Sequence, residues 1–243
     1  MSFALPAYQL RAVNTAPDSE NKIHDDSVAA QYGFRGGLVP GVTVYGYMTV
    51  PIIDFAPQWL DQGSMQVRFV QPVYDGDTLV VRATVNDDGS LRVTAEREDG
   101  AVCATGTAAL NRAADAPAKP PSFAALPERR PEATRETIIP GAALGTVVDT
   151  LDTVEQRRIL QFSNELLVRN FALGPWIHVS SDVSNWSAPR IGDQISAHAR
   201  IHDRFDRMGH EFISVDVVLM ANRARLIQTV RHTAIYRIAR APV

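Results

Sequence analysis

Two residues set the chemistry this chain could do: His24 and Gly41. An unperturbed imidazole titrates near pH ~6.5, so His24 can act as acid or base at neutral pH. Pro40 and Gly41 open an almost wholly apolar run. The first amides of a helix starting there have no intrahelical acceptor and form a donor site for partial negative charge. Together the two suit a carbonyl substrate. The amides would polarise the oxygen while His24 exchanges a proton at a neighbouring carbon. A thioester with an acidic α-proton is such a substrate, and donors to a developing oxyanion are typically worth about 3–4 kcal/mol of barrier.

The stretch "HDDSVAAQYGFRGGLVPGVTVYGYM" must position these groups. Asp26 is read as the N-cap of a short helix through "SVAAQY", its carboxylate accepting backbone N–H bonds. Gly33 suits the left-handed position that closes that helix. Arg35 to Gly37 permit a tight bend and close backbone approach. The next helix, roughly Gly41 to Phe55, reads Val42, Val44, Tyr45, Tyr47, Met48, Val50, Ile52, Ile53 and Phe55 on nearly every side. A helix apolar all round must be enclosed, and a curved sheet wrapped around it would do so.

The chain also repeats itself. "GDTLVVRATV" from Gly76 and "GDQISAHARI" from Gly192 share the pattern G-D-x-(L/I)-x-x-x-A-x-(V/I), each shortly after a proline, Pro72 or Pro189. Strand-like alternation follows in both halves, with "NDDG" and "REDG" as hairpin turns. A second helix is expected over roughly Val154 to Ala172, closed by Gly174 and Pro175. The proline-rich stretch between the halves reads as a linker. The expected organisation is an α+β pair of units, 1–112 and 137–243, joined by a linker over 113–136.

Bulk properties narrow the function. The 243 residues carry a net charge of −3 with no basic block, which argues against nucleic acid or an anionic membrane as partner. The lone Cys103 excludes an internal disulfide and fits a reducing compartment. No segment has the length of a membrane span, and the N-terminus lacks a signal-peptide pattern, so a soluble cytoplasmic protein is expected. No phosphate loop, dinucleotide fingerprint or nucleophile elbow is present, and no cofactor or metal is expected.

The stretch "SENKIHDDSVAAQYGFRGGLVPGVTVYGYM" resembles the signature of the MaoC-like dehydratases, the R-specific enoyl-CoA hydratase group with the hot-dog fold. Asn21, Ile23, His24, Gly33, Phe34, Gly36, Val39, Pro40 and Gly41 carry the likeness over about thirty residues. The resemblance implies a tandem, or double, hot-dog whose second unit lost its motif. It implies an acyl thioester of coenzyme A or an acyl carrier protein as ligand, a lyase reaction of the kind found in fatty acid metabolism, and a possible homodimer of the pseudo-dimeric chain. His24 would be the catalytic histidine and Asn21 would orient the site. Gly36, Gly37, Val39, Pro40, Gly41 and Tyr45 would line the substrate, with the Gly41 amide facing the thioester carbonyl. The position of the family's catalytic aspartate holds Ser19 here. Asp18 and Glu20 flank it and are read as its stand-ins. Hydration or dehydration of a 2-enoyl/3-hydroxyacyl thioester leads. A hot-dog acyl-CoA thioesterase and a non-catalytic acyl-thioester binder or partner subunit are the alternatives.

Other polar residues are read as structural. Glu165 falls on the polar side of the second helix. Ser163 and Asn170 lie nearer its apolar stripe and are expected to bond locally or to the facing unit. His198 and His202 have i,i+4 spacing but sit in a strand, where a zinc pair is not expected. His178 in "WIHVSSDV" alternates within a strand, structural or lining the second unit's cavity.

Overall fold

The computed structural model describes residues 1–112, 115–116 and 122–239. The 113–136 linker therefore falls partly outside the described residues. The first half contributes β1 (Phe3–Ala4), β2 (Tyr8–Arg11), α1 (Asp26–Ala30), α2 (Gly41–Phe55), α3 (Trp59–Gln62), β3 (Ser64–Phe69), β4 (Thr78–Val85), β5 (Leu91–Arg97) and β6 (Val102–Ala109). The second contributes β7 (Val147–Thr150), α4 (Gln156–Asn170), β8 (Ile177–Asn185), β9 (Gln194–Arg207), β10 (His210–Ala221) and β11 (Arg225–Arg237). All strands join one 11-stranded antiparallel sheet, ordered β1-β4-β5-β6-β3-β8-β11-β10-β9-β7, with β2 also on β4. The seam between the halves is β3 against β8, running from Ser64 opposite Ser184 to Arg68 opposite Ser180.

The repeat is visible in hydrogen bonds as well as in letters. Gly76 and Gly192 both adopt positive φ, +78° and +86°. Gly76 N–H donates to the Ala12 carbonyl and Gly192 N–H to Leu151, each at 2.8 Å. Asp77 accepts from the Tyr74 amide at 3.0 Å, and Asp193 from the Arg190 amide at 2.8 Å. Each aspartate also holds an arginine, Arg35 on Asp77 and Arg225 on Asp193. Thus the short conserved pattern within the chain is a turn that locks each unit's edge strand to its neighbour. In both units the carboxylate closes the turn by accepting from the amide three residues before it.

The two long helices lie against each other inside the curved sheet. Val42, Val44, Tyr45, Met48 and Ile52 of α2 and Ile159, Leu160, Phe162, Leu166 and Leu167 of α4 are all buried in one core. The all-apolar α2 is enclosed, as its composition requires. Its two outermost aromatic positions differ: Tyr45 is fully buried, whereas Phe55, at the helix end, is 41% exposed. From the linker region, Thr146 and Ala124 exchange backbone and side-chain bonds, and Ala133 donates to Ala172. This segment is docked on the second half of the sheet. Among the described residues, no helix is long and apolar enough to cross a membrane.

Candidate functional site

The segment between β2 and α2 leaves the sheet and crosses onto the second half. Asn21 makes this crossing specific. Its side chain pairs with the Trp176 backbone in both directions, accepting from the amide at 3.1 Å and donating to the carbonyl at 3.0 Å. Ile23, Ala29 and Leu38 bury a small apolar cluster there with Ile238, joined by Ile177 and Ile235 of β8 and β11. The cap of α1 is Asp25, whose carboxylate accepts from the Ser27 and Val28 amides. This corrects the expectation of Asp26. The latter's carboxylate instead accepts from the Gly37 amide at 2.7 Å and ties the glycine bend to the helix. Gly37 must be glycine, since a Cβ there would lie 2.1 Å from the His24 carbonyl oxygen. Beyond the bend, Val39 N–H donates to Val73 at 2.8 Å and anchors the start of α2.

His24 is half-buried, and its two ring nitrogens have separate tasks. Nδ1 lies 2.6 Å from the Leu38 carbonyl, which can only accept, so the proton resides on Nδ1. Nε2 therefore carries the lone pair and accepts weakly from Asn21 Nδ2 at 3.3 Å. Burial lowers the His24 pKa, while the bond to Leu38 opposes that shift. The ring is a neutral base at pH 7. At the head of α2, the Pro40 carbonyl accepts from the Thr43 and Val44 amides. The Gly41 and Val42 amides find no protein acceptor among the described residues.

These groups meet in one pocket of about 800 Å³, its open mouth included. Asn21, His24, Val39, Pro40 and Gly41 line it, with Val44, Phe69 and Cys103 from the first half. The second half supplies Asn164, Trp176 and His178. The other sequence-named residues lie elsewhere. Gly36 packs beside the Asp26 carboxylate. Tyr45 is buried in the core with its hydroxyl unpartnered, and burial raises that phenol's pKa far above its ordinary value. The Ser19 hydroxyl donates to the Asn21 carbonyl at 3.2 Å. Asp18 is exposed, and Glu20 is held outward by Arg130 at 2.7 Å. No carboxylate, lysine or arginine lines the pocket among the described residues.

On α4, Glu165 pairs with Arg158 at 3.0 Å. Asn170 bonds the Gly145 backbone and the Leu166 carbonyl. Ser163 is fully buried with no partner. The helix instead presents Asn164 to the pocket, a residue that sequence reasoning passed over between its two polar neighbours. His198 bonds Ser196 and Thr146, while His202 reaches Asp216. No metal-binding group of side chains occurs among the described residues.

His178, read from the sequence as structural or cavity-lining, is the main residue the second half sets against Gly41. A Cβ on Gly41 would lie 2.7 Å from His178 Nδ1, and 3.2 Å from both its Cγ and Phe69 Cε2. The imidazole is wedged between Phe69 and His232, with ring centroids 4.7 and 4.2 Å away, so it has little room to retreat. Gly41→Ala is therefore expected to destabilise the fold by about 1–3 kcal/mol, as overpacking does. Urea denaturation checks this. An unchanged midpoint would show that the ring yields.

No protein-family model matches the chain, and no curated protein matches it significantly. Solved structures do. A Chloroflexus aurantiacus protein named for a MaoC dehydratase domain superposes with a TM-score of 0.63 at 13% identity, covering 98% of this chain and 95% of that one. A Mycobacterium tuberculosis protein with a double hot-dog fold gives 0.64 at 16% identity, covering 97% and 95%. An acyl-CoA thioesterase II from Mycobacterium marinum gives 0.59 at 14%, covering 82% and 89%. The chain has a double hot-dog fold.

Proposed function

We propose that the protein binds an acyl thioester in the pocket between its two units and hydrates a 2-enoyl group there, or dehydrates the 3-hydroxyacyl product. The observation that carries this reading is the convergence of a neutral His24, its lone pair on Nε2, with the unpartnered Gly41 amide in one mainly apolar pocket. The thioester carbonyl would accept from the Gly41 amide. His24 Nε2 would take a proton from water as the hydroxide oxygen bonds C3 and the C2=C3 electrons move toward C2 and the carbonyl. The imidazolium would then return that proton to C2. The proton count closes with one residue, so Asp18, Ser19 and Glu20 need not enter the pocket. Asn21 would hold the ring plane, and its long 3.3 Å bond to Nε2 leaves room for water to compete.

The absence of a carboxylate among the lining residues favours one second reading, an acyl-thioester binder without turnover. A panel of short and medium 2-enoyl-CoA substrates separates them. Loss of the conjugated enoyl absorbance without thiol release is the expected result. Thiol release would instead assign a thioesterase, and tight binding with neither signal would assign the binder.

A further inference from the structure

The pocket holds a second imidazole that the reaction above leaves unused. His178 is 6% exposed, and its Nδ1, beside Gly41, has no hydrogen-bond partner. Its Nε2 lies 2.9 Å from the Ser181 hydroxyl, which lies 3.1 Å from His232 Nδ1. Ser181 and His232 are fully buried, and His232 Nε2 has no partner either.

Two neutral rings around one serine proton have four arrangements. The one with protons on His178 Nδ1 and His232 Nε2 is the poorest, since it orphans both N–H groups and one acceptor. That leaves three. If His178 Nε2 donates to Ser181, and Ser181 to His232, the orphan N–H is on His232 Nε2, sealed in the core. If both rings donate to Ser181, the serine hydroxyl is the buried orphan. If His232 Nδ1 donates to Ser181, and Ser181 to His178 Nε2, the spare N–H is His178 Nδ1, the one nitrogen of the chain beside the pocket. Every arrangement leaves a buried donor without a protein partner, and only the third puts it on His178 Nδ1 beside Gly41, where a bound carbonyl oxygen can satisfy it.

We propose that His178, held as its Nδ1–H tautomer by Ser181 and His232, is a second hydrogen-bond donor for the carbonyl oxygen at the Gly41 amide. This rests on the reading of Gly41 as the seat of a thioester carbonyl. The donor stays uncharged, because burial, reinforced by the neighbouring His232 and opposed more weakly by the Ser180 backbone, holds the His178 pKa well below the ordinary histidine value. A neutral donor polarises a carbonyl without giving up its proton, and it is already in position before the charge develops.

Long-range proton–nitrogen correlation on histidine-labelled protein saturated with enoyl-CoA at pH 7 reads the tautomers directly. Nδ1–H on both His178 and His232 is expected, with peaks assigned from His178→Phe and His232→Phe. Nε2–H on His178 would overturn the proposal. The carbonyl stretch of bound carbonyl-labelled enoyl-CoA should shift to lower frequency in the wild type. It should move part of the way back in His178→Phe, which keeps the ring stack, and in Ser181→Ala, which leaves His178 in place. Loss of this donor should lower kcat roughly 10²-fold with KM within about threefold. An identical stretch and kcat in His178→Phe would overturn this proposal alone. No binding of any acyl-CoA by the wild type would overturn the thioester reading along with it.

Discussion

His24→Ala is expected to lower kcat/KM for enoyl-thioester hydration by about 10²–10⁴-fold, the usual contribution of a positioned acid–base group. The size follows from the division of labour on the ring. Nδ1 is committed to the Leu38 carbonyl at 2.6 Å, so Nε2 is the only basic nitrogen His24 can offer the pocket. No carboxylate among the lining residues can substitute for it. Alanine also strips the Leu38 carbonyl of its partner, which costs about 1–3 kcal/mol of stability. A shift in the unfolding midpoint should therefore accompany a large loss of rate. KM should change little, because the proton transfer is made in the transition state and not in the bound ground state. The wild-type acid limb gives an independent check. Burial lowers the His24 pKa, so activity should hold down through pH ~6.5 and fall only below it. Initial rates measured from pH 5 to 8 on both proteins decide the matter. A variant within tenfold of wild type would remove His24 from the chemistry.

The parts of this site that were legible in the sequence are those set by local physics. Pro40-Gly41 followed by apolar residues on every side fixed both the start of α2 and its burial, and the helix runs over Gly41–Phe55 as expected. The paired G-D turns were legible because one glycine conformation and one carboxylate–amide bond recur in both halves. The cap of α1 was not, since Asp25 and Asp26 are adjacent acids and only the path of the glycine bend decides which faces the helix end. His178 lay further out of reach. Its place beside Gly41 depends on the β3–β8 seam, which joins segments more than a hundred residues apart and leaves no periodic trace. Asn164 was hidden for a related reason. On α4 it shares a buried surface with Ser163 and Asn170, and only the packing of that helix against the pocket separates the three.

Acidification from pH 7 to 5 should cost the folded state about 2 kcal/mol through His232, and His178 adds to that loss in the same direction. In the unfolded chain both rings titrate near pH ~6.5. In the folded chain burial drives His232 down to about 3 and His178 well below its ordinary value. Both folded-state values are depressed, so below pH ~6.5 the unfolded state binds the protons first and stability falls with pH. His232 contributes about 1.4 kcal/mol per pH unit over the roughly 1.5 units from 6.5 to 5, hence about 2 kcal/mol, and His178 acts in the same direction. Above pH ~6.5 both states are neutral and the pair contributes no slope. The geometry explains why the fold cannot relax this cost by charging one ring. The ring centroids are 4.2 Å apart with the planes tilted by 32°, and Ser181, the polar group they share, is sealed from water. His232→Phe should remove the His232 part of this loss, about 2 kcal/mol, whatever it does to stability at pH 7, because phenylalanine takes up no proton. Urea midpoints of both proteins at pH 7 and pH 5 measure that difference. Equal losses in the two proteins would mean that His232 titrates in the folded chain much as it does in the unfolded one, and that the sealed pair described above does not exist in solution.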